Sequence, residues 1–373
     1  MNFLLEGITN ITWQQGVMYV VGAILIILAI KKKLEPALLL PMGFGAILVN
    51  LPLSGVINQP QGSSEVVGAI QWLFETGIEA SEILPLLLFI GIGAMIDFGP
   101  LLSNPKLIFI GAAAQFGIFF TMVVASAWFD ISDAASIGII GAADGPTSIL
   151  VSQVLKSKFV GAIAVAAYCY MALVPIIQPA VIKTITTKKE RRIKMEYNPK
   201  SVSKTTKIIF PIVVTIIAGL IAPASVSLVG FLMFGNLIRE CGVLDSLSDT
   251  ASNVLSNLIT LLLGITISFS MKAEQFVTFE TLFIIGLGLV AFVFDTIGGV
   301  MFVKLLNLFS KKKINPMVGA AGISAFPMAS RVVQKLGVQE DPTNHLLMHA
   351  ASANVAGQIA SVVAGGVILG LLK

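Results

Sequence analysis

The chain has 373 residues, 56% of them hydrophobic and only 12% charged, with a mean hydropathy of +0.92. A soluble chain carries about a quarter charged residues, so soluble domains are excluded, and with them disorder, a disulfide-built secreted scaffold and a nucleic-acid binder. The formal charge of +4 suits a multi-pass protein of a bacterial-type inner membrane, whose cytoplasmic loops collect Lys and Arg.

Long apolar runs predict membrane helices. In chain order they fall at 17–30, 35–52, 83–102, 107–129, 134–155 and 159–182, then at 208–222, 225–240, 254–271, 278–309, 315–336 and 345–372. None shows the alternating ten-residue pattern of a membrane barrel. The first sixteen residues lack a basic region and contain Glu6, so no cleavable signal peptide is expected. Residues 53–66 read as a polar loop and 67–80 as a short interfacial helix. Cys169 and Cys241 are spaced for neither a metal site nor a disulfide framework. The most polar stretch, 183–207, carries nine Lys/Arg and separates the two groups of six.

The fold expected is an all-α polytopic membrane protein built from two repeats, 1–182 and 208–373, joined by a basic cytoplasmic linker, 183–207. The fifth segment contains Gly141-Ala-Ala-Asp-Gly-Pro-Thr-Ser-Ile and the eleventh Gly319-Ala-Ala-Gly-Ile-Ser-Ala-Phe-Pro-Met-Ala-Ser. Gly/Pro-interrupted segments at matching places in two halves point to a transporter's binding site; the plainer alternative is close packing through small residues. A weaker match, one segment out of step, links Gly93-Ala-Met-Ile-Asp with Gly235-Asn-Leu-Ile-Arg. If 134–155 and 315–336 are re-entrant hairpins, eighteen Lys/Arg fall on the cytoplasmic side and four outside. Five crossings per half then invert one repeat relative to the other, and the hairpin tips meet near mid-membrane.

Asp144 lies inside an apolar run. An isolated carboxylate at membrane depth costs at least about 2.5–3.5 kcal/mol, so it needs a partner, and no Lys or Arg is near in sequence. Gly145 and Pro146 interrupt the helix and free carbonyls, while Thr147 and Ser148 add hydroxyls; together these form a hard-oxygen site suited to Na+ or H+. Capping of the following half-helix is the alternative role of Asp144.

The second hairpin offers Ser324, Pro327, Ser330 and Arg331. Arg331 reads either as a buried cation that binds a carboxylate or compensates charge when the site empties, or as a side chain snorkelling to the interface. On the last segment Asn354, Gly357, Gln358 and Ser361 share one face. His345 and His349 stand four apart without a visible third metal ligand. Tyr170 is either a proton donor or an ordinary packed aromatic. Asp97 reads as a solvated or capping acid, and Asp295 as a second-rank candidate on an ion path.

These motifs, together with Tyr168-Cys-Tyr-Met-Ala-Leu-Val-Pro-Ile-Ile-Gln-Pro and Leu346-Leu-Met-His-Ala, resemble the membrane beta subunit of the sodium-pumping biotin-dependent decarboxylases. That family includes the oxaloacetate, methylmalonyl-CoA, malonate and glutaconyl-CoA enzymes, and the likeness runs from about Glu35 to the C-terminus. The resemblance implies decarboxylation of carboxybiotin coupled to Na+ export, with one proton consumed. Its essential aspartate falls on Asp144 and its functional tyrosine on Tyr170. The polar face of its last helix falls on Asn354, Gly357 and Ser361, which implies Na+ held at Asp144, Asn354 and Ser361. The partners implied are a carboxyltransferase alpha subunit, a biotin carrier subunit and a small membrane gamma or delta subunit, with a homo-oligomer as a further arrangement. Met271-Lys272-Ala273 lacks the flanking methionines of a biotin-attachment site, so biotin is carried by another chain. Two departures, Ser352-Ala353 for Gly-Pro and Gln358 and Ala360 for Val and Gly, bear on how the last helix sets its Asn and Ser. A Na+-coupled secondary transporter of a small anion is the competing reading; it predicts solute uptake by the chain alone.

Overall fold

The computed structural model describes residues 9–33, 36–61, 64–142, 144–196 and 201–372. Lipid offers the backbone no hydrogen-bond partners, so apolar runs close their bonds internally as helices. The main ones are α1 (Trp13–Lys32), α2 (Pro36–Asn50), α3 (Ile83–Met95), α4 (Ile108–Ala114), α5 (Phe116–Ala125), α6 (Ile131–Gly138), α7 (Gly145–Val154) and α8 (Val160–Ile185). After the basic stretch come α9 (Lys204–Ile221), α10 (Val226–Cys241), α11 (Ser256–Ile267), α12 (Phe279–Phe309), α13 (Met317–Ala320), α14 (Met328–Glu340) and α15 (Leu347–Leu372). Each of the twelve apolar segments thus contains helix. Among the described residues seven helical stretches are long and apolar enough to cross a membrane, and two bent pairs raise the number to nine.

Local chemistry sets several boundaries. A capping box of Thr12 and Gln15 starts α1, and Lys33 in the left-handed region (φ 53°) ends it. Ser203 caps α9 through the amide of Thr206, and Thr278 caps α12 through that of Thr281. Pro175 and Pro179 lie inside α8, where each removes a backbone donor, and the halves of α8 bend by 68°.

The helices and loops differ from the expected segments in detail. Residues 83–102 do not form one helix: α3 ends at Met95 and a separate turn of helix runs Gly99–Ser103. The fourth segment is broken at Gln115, between α4 and α5. Residues 69–79 form a helix bent by 67° from α3, with Ile70, Phe74 and Ile78 buried on one face and Trp72 exposed on the other. Part of the loop at 53–66 is a small antiparallel ribbon, Gln59–Gln61 with Ser64–Val66.

The segments containing Gly93 and Gly235 cross each other. A Cβ at Gly93 would lie 1.9 Å from the Leu232 carbonyl oxygen, and one at Gly235 would lie 2.0 Å from that of Ile90. Beside the crossing, the Asn236 side-chain amide donates to the Ile96 carbonyl at 2.9 Å.

Both interrupted segments fold back on themselves. In the first, Ser148 Oγ, on α7, donates to the Ile139 carbonyl at 3.4 Å. Its two ends are tied at the base, where Asp133 accepts from Ser157 Oγ (2.6 Å) and the Lys158 amide (3.2 Å). In the second, the ends meet at Arg191. Asn315 Nδ2 donates to the carbonyls of Arg191 and Ile193, both at 2.8 Å, and Glu340 pairs with Arg191 Nε at 2.6 Å. Ser157 and Arg191 flank opposite ends of α8, so the two hairpins are rooted at opposite ends of the molecule.

Charged side chains gather at the Arg191 end. Lys304 pairs with Glu190, Lys194 with Asp341, and Lys207 with Asp97 and Glu240. Hydrogen bonds from Thr343 and the Lys194 charge hold the Asp341 carboxyl down at about 2. At the other end Lys156 and Lys158 line a cavity of about 770 Å³, and Lys272 stands 3.8 Å over the ring of Phe269 in its wall. Outer helices such as α9 expose Ile212, Ile216 and Leu220, as a lipid-facing surface requires, whereas α15 is buried along most of its length.

Candidate functional site

The two hairpin tips meet. The Ser324 amide donates to the Ala142 carbonyl at 3.0 Å, and α15 lies against both. Asn354 Nδ2 donates to the Ile323 carbonyl at 2.6 Å, and Ser324 Oγ donates to the Gly357 carbonyl at 3.1 Å. Gly357 is so close that a Cβ there would lie 2.0 Å from the Gly322 oxygen. One turn on, Ser361 Oγ faces Asp144 Oδ2 at 3.4 Å and the Gln358 carbonyl at 3.1 Å. The face drawn from helical spacing therefore touches the second hairpin with Asn354 and Gly357 and the first with Ser361.

Asp144 is 4% exposed and sits at the turn before α7. Thr147 Oγ1 donates to its Oδ2 at 2.6 Å. The Thr147 backbone amide also lies on the carboxylate, so a capping role for the half-helix stands beside the ion-site reading of Asp144. Among the described residues no Lys, Arg or His pairs with it. Ser148 Oγ donates to the Asp144 main-chain carbonyl at 2.8 Å, so its proton is used by the backbone rather than by the carboxylate.

Three amide side chains hold the second tip from different helices. Gln115, at the break between α4 and α5, donates to Gly322 (3.2 Å), Gln178 to Ala320 (2.6 Å) and Asn354 to Ile323. Each points its nitrogen at a carbonyl, which leaves Gln115 Oε1, Gln178 Oε1 and Asn354 Oδ1 buried without a partner. Sequence reasoning passed over Gln115 and Gln178, although a buried amide in an apolar run is itself a signal.

Tyr170, read as a proton donor or a packed aromatic, does not lie on the Asp144 turn: its hydroxyl donates to the Ile285 carbonyl of α12, and its ring packs among Ile140, Ile284 and Leu287. Tyr168 packs on that turn instead, where a Cβ at Gly145 would lie 2.1 Å from its ring carbons; its hydroxyl is buried and has no partner among the described residues. Residues two apart on a helix point to nearly opposite sides, and this separates the two. Of the two readings of Arg331, its exposure fits the snorkelling one, and it lines a cleft of about 480 Å³ with Lys183 and Lys335. Its long stem lets the guanidinium reach water at the Arg191 end.

Asp97 is a solvated acid that accepts from the Gly99 amide at 2.8 Å and faces Lys207 at 3.4 Å. His345 Nδ1 meets Gln334 Nε2 at 3.2 Å on the surface, while His349 is buried and lines another cleft. Ser330 donates to the Pro327 carbonyl at 2.7 Å. Asp295, midway along α12, is fully buried.

A buried carboxylate with hydroxyl neighbours and no cation of its own is the kind of site that carries a small cation. The family model of the Na+-transporting oxaloacetate decarboxylase beta subunit matches residues 14–372. The chain belongs to that family. It is 50% identical to the methylmalonyl-CoA decarboxylase subunit beta of Propionigenium modestum, over 95% of this chain and 94% of the relative. It is 48% identical to the glutaconyl-CoA decarboxylase subunit beta of Acidaminococcus fermentans (98% and 96%), and 43% identical to the probable oxaloacetate decarboxylase beta chain of Vibrio cholerae (97% and 96%). The protein is thus a multi-pass bacterial membrane protein and the membrane subunit of a sodium-pumping decarboxylase, which sets aside the anion-carrier reading. As a beta subunit it works within a multi-subunit complex.

Proposed function

We propose that Na+ is carried at Asp144, with Thr147 and Ser361 as hydroxyl neighbours and the unpartnered Asn354 oxygen as a further ligand brought from α15. The observation that carries this reading is the Asp144 carboxylate, buried at a hairpin tip and bonded to two hydroxyls, with no basic partner among the described residues. Ser324 and Gly357 act by joining the second tip to α15 rather than by touching the ion.

The fuel step is decarboxylation of carboxybiotin borne by a separate carrier subunit. A carboxyltransferase alpha subunit loads that carrier, and a small gamma or delta subunit completes the complex. The N–CO₂⁻ bond breaks, CO₂ leaves, and the ureido nitrogen takes up a proton. The cleft of about 480 Å³ lined by Lys183, Arg331 and Lys335 suits an anionic headgroup, and its size falls within the ~300–1,000 Å³ of small-molecule sites. It opens at the basic end, which the charge bias assigns to the cytoplasm.

The two halves are inverted repeats, with the Ser157-rooted hairpin facing outside and the Arg191-rooted one facing the cytoplasm. Moving one charge outward against about 150 mV takes roughly 3.5 kcal/mol, and each tenfold Na+ gradient adds about 1.4 kcal/mol; CO₂ release must supply both. The test is ²²Na+ uptake by the reconstituted complete complex, with and without avidin to block biotin. Uptake that requires the decarboxylation substrate and stops with avidin is expected; uptake indifferent to avidin would overturn the reading.

A further inference from the structure

A second carboxylate stands beside the first hairpin. Asp295 is 0% exposed, and among the described residues no ion pair includes it. Its Oδ1 accepts from the Ile118 amide at 3.1 Å, where the break at Gln115 starts α5. The same oxygen would lie 2.6 Å from a Cβ at Gly117. Among the described residues its Oδ2 has no hydrogen-bond partner, and it lies against Gly141, three residues before Asp144, where a Cβ would come within 2.4 Å of it.

A charged carboxylate in this setting would carry the penalty that made Asp144 conspicuous. Neutralisation by Na+ requires several oxygen ligands, as hard cations do. The groups that the structure places on Asp295 are the backbone N–H groups of Ile118 and Gly117, which donate, and the Cα atoms of two glycines. A proton requires no such shell. The titratable groups on the packed elements do not supply a counter-charge either. α4 and α5 carry none. The first hairpin brings the acids Asp133 and Asp144, and α8 brings Tyr168, Cys169, Tyr170 and, at its far end, Lys183. On α12 itself, Glu280 is at the first turn and Lys304 is paired with Glu190.

We propose that Asp295 is the proton-carrying acid of the pump. It is neutral while the first hairpin covers Oδ2, as here, and ionises to water when that hairpin moves away. Because Gly141 and Asp144 belong to the same hairpin, a movement that opens the Na+ site also uncovers Asp295. Na+ and H+ occupancy are thereby linked without sharing one carboxylate. The proposal rests on the reading of Asp144 as the Na+ carboxylate.

The test uses the complete complex in proteoliposomes, carrying Asp295→Asn or Asp295→Glu, with substrate turnover followed across pH and Na+ binding measured separately. The Asn variant keeps the acceptor for Ile118 but cannot titrate. It is expected to bind Na+ within about twofold of wild type and to lose turnover at least about tenfold at every pH. The Glu variant is expected to turn over with a displaced pH profile. An Asn variant with wild-type turnover and pH profile overturns the proposal, as does a Glu variant as slow as the Asn one, or loss of Na+ binding in both, because each makes the role structural. Asp144→Asn, tested alongside, separates the two readings: if it still binds Na+, the Na+ assignment fails while the Asp295 result stands by itself.

Discussion

The Ser324 amide and the Ala142 carbonyl, 3.0 Å apart, join two hairpins rooted at opposite ends of α8. A path that opens to one side at a time must separate these tips or slide one past the other. Cysteines at both positions would have backbones close enough for a disulfide, whose Cα atoms lie about 4.4–6.8 Å apart. In a background with Cys169 and Cys241 replaced by Ser, Ala142→Cys with Ser324→Cys should lose at least about tenfold in turnover on oxidation and recover it on reduction. Full turnover in the oxidised form would mean that the tips stay joined through the cycle.

Asp144→Asn keeps the shape of the side chain and removes its charge. If the carboxylate is what holds Na+, the Na+ concentration for half-maximal turnover should rise by about 100-fold or turnover should vanish, in line with the ~2.5–3.5 kcal/mol attached to an intramembrane charge. Carboxyl transfer by the partner subunits should be unchanged. Assays of the two partial reactions on the same preparation check both halves of the expectation.

The two tyrosines make opposite predictions. Tyr168 gives no hydrogen bond among the described residues, so Tyr168→Phe should leave thermal stability within about 1 kcal/mol. If its oxygen faces the ion at the Asp144 turn, the same change should weaken Na+ activation by about tenfold. Tyr170→Phe removes the bond to the Ile285 carbonyl and should cost roughly 0.5–1.5 kcal/mol with Na+ activation unchanged. Na+ titrations of both variants decide between the residues.

What was legible in the sequence was what lipid makes conspicuous. The interrupted segments announced themselves through Gly and Pro in apolar runs, and Asp144 through its charge. The face of Asn354, Gly357 and Ser361 followed from spacing alone. The direction of a side chain about a buried helix was not legible: α8 is apolar on every side of Tyr168 and Tyr170, and only its neighbours decide which faces Asp144. The break at Gln115 had no proline to mark it. Arg331 is open in sequence between a buried cation and a snorkelling side chain, because a long basic side chain near a helix end reaches water from a position that otherwise counts as buried.

The glycine crossing of α3 and α10 gives a stability test remote from the ion site. A methyl group at Gly93 would overlap a carbonyl oxygen on the facing helix, so the helices would have to move apart. Overpacking of this kind typically costs about 1–3 kcal/mol. Gly93→Ala should therefore lower the unfolding temperature in detergent, and Gly235→Ala should do the same. Gly16→Ala, where a Cβ meets nothing within 4 Å, should be neutral.

Arg191 lies in the basic stretch that charge alone would assign to a solvated loop, yet its side chain is only 7% exposed and is paired with Glu340 at 2.6 Å. It also donates to the Thr186 carbonyl, and its own carbonyl accepts from Asn315 and Asn344. One residue thus ties the end of α8 to both ends of the second hairpin. Removal of one partner of a buried pair leaves the other charge uncompensated, at about 3–5 kcal/mol. Arg191→Met should therefore destabilise the chain by that order, and the double variant with Glu340→Met by clearly less than the sum of the two single changes. If the clamp also sets where the second hairpin pivots, Arg191→Met protein that still folds should make the 317–340 segment more accessible to protease. A double-mutant cycle by thermal unfolding, with limited proteolysis of the same samples, tests both points; additive single effects would show that the pair is not coupled.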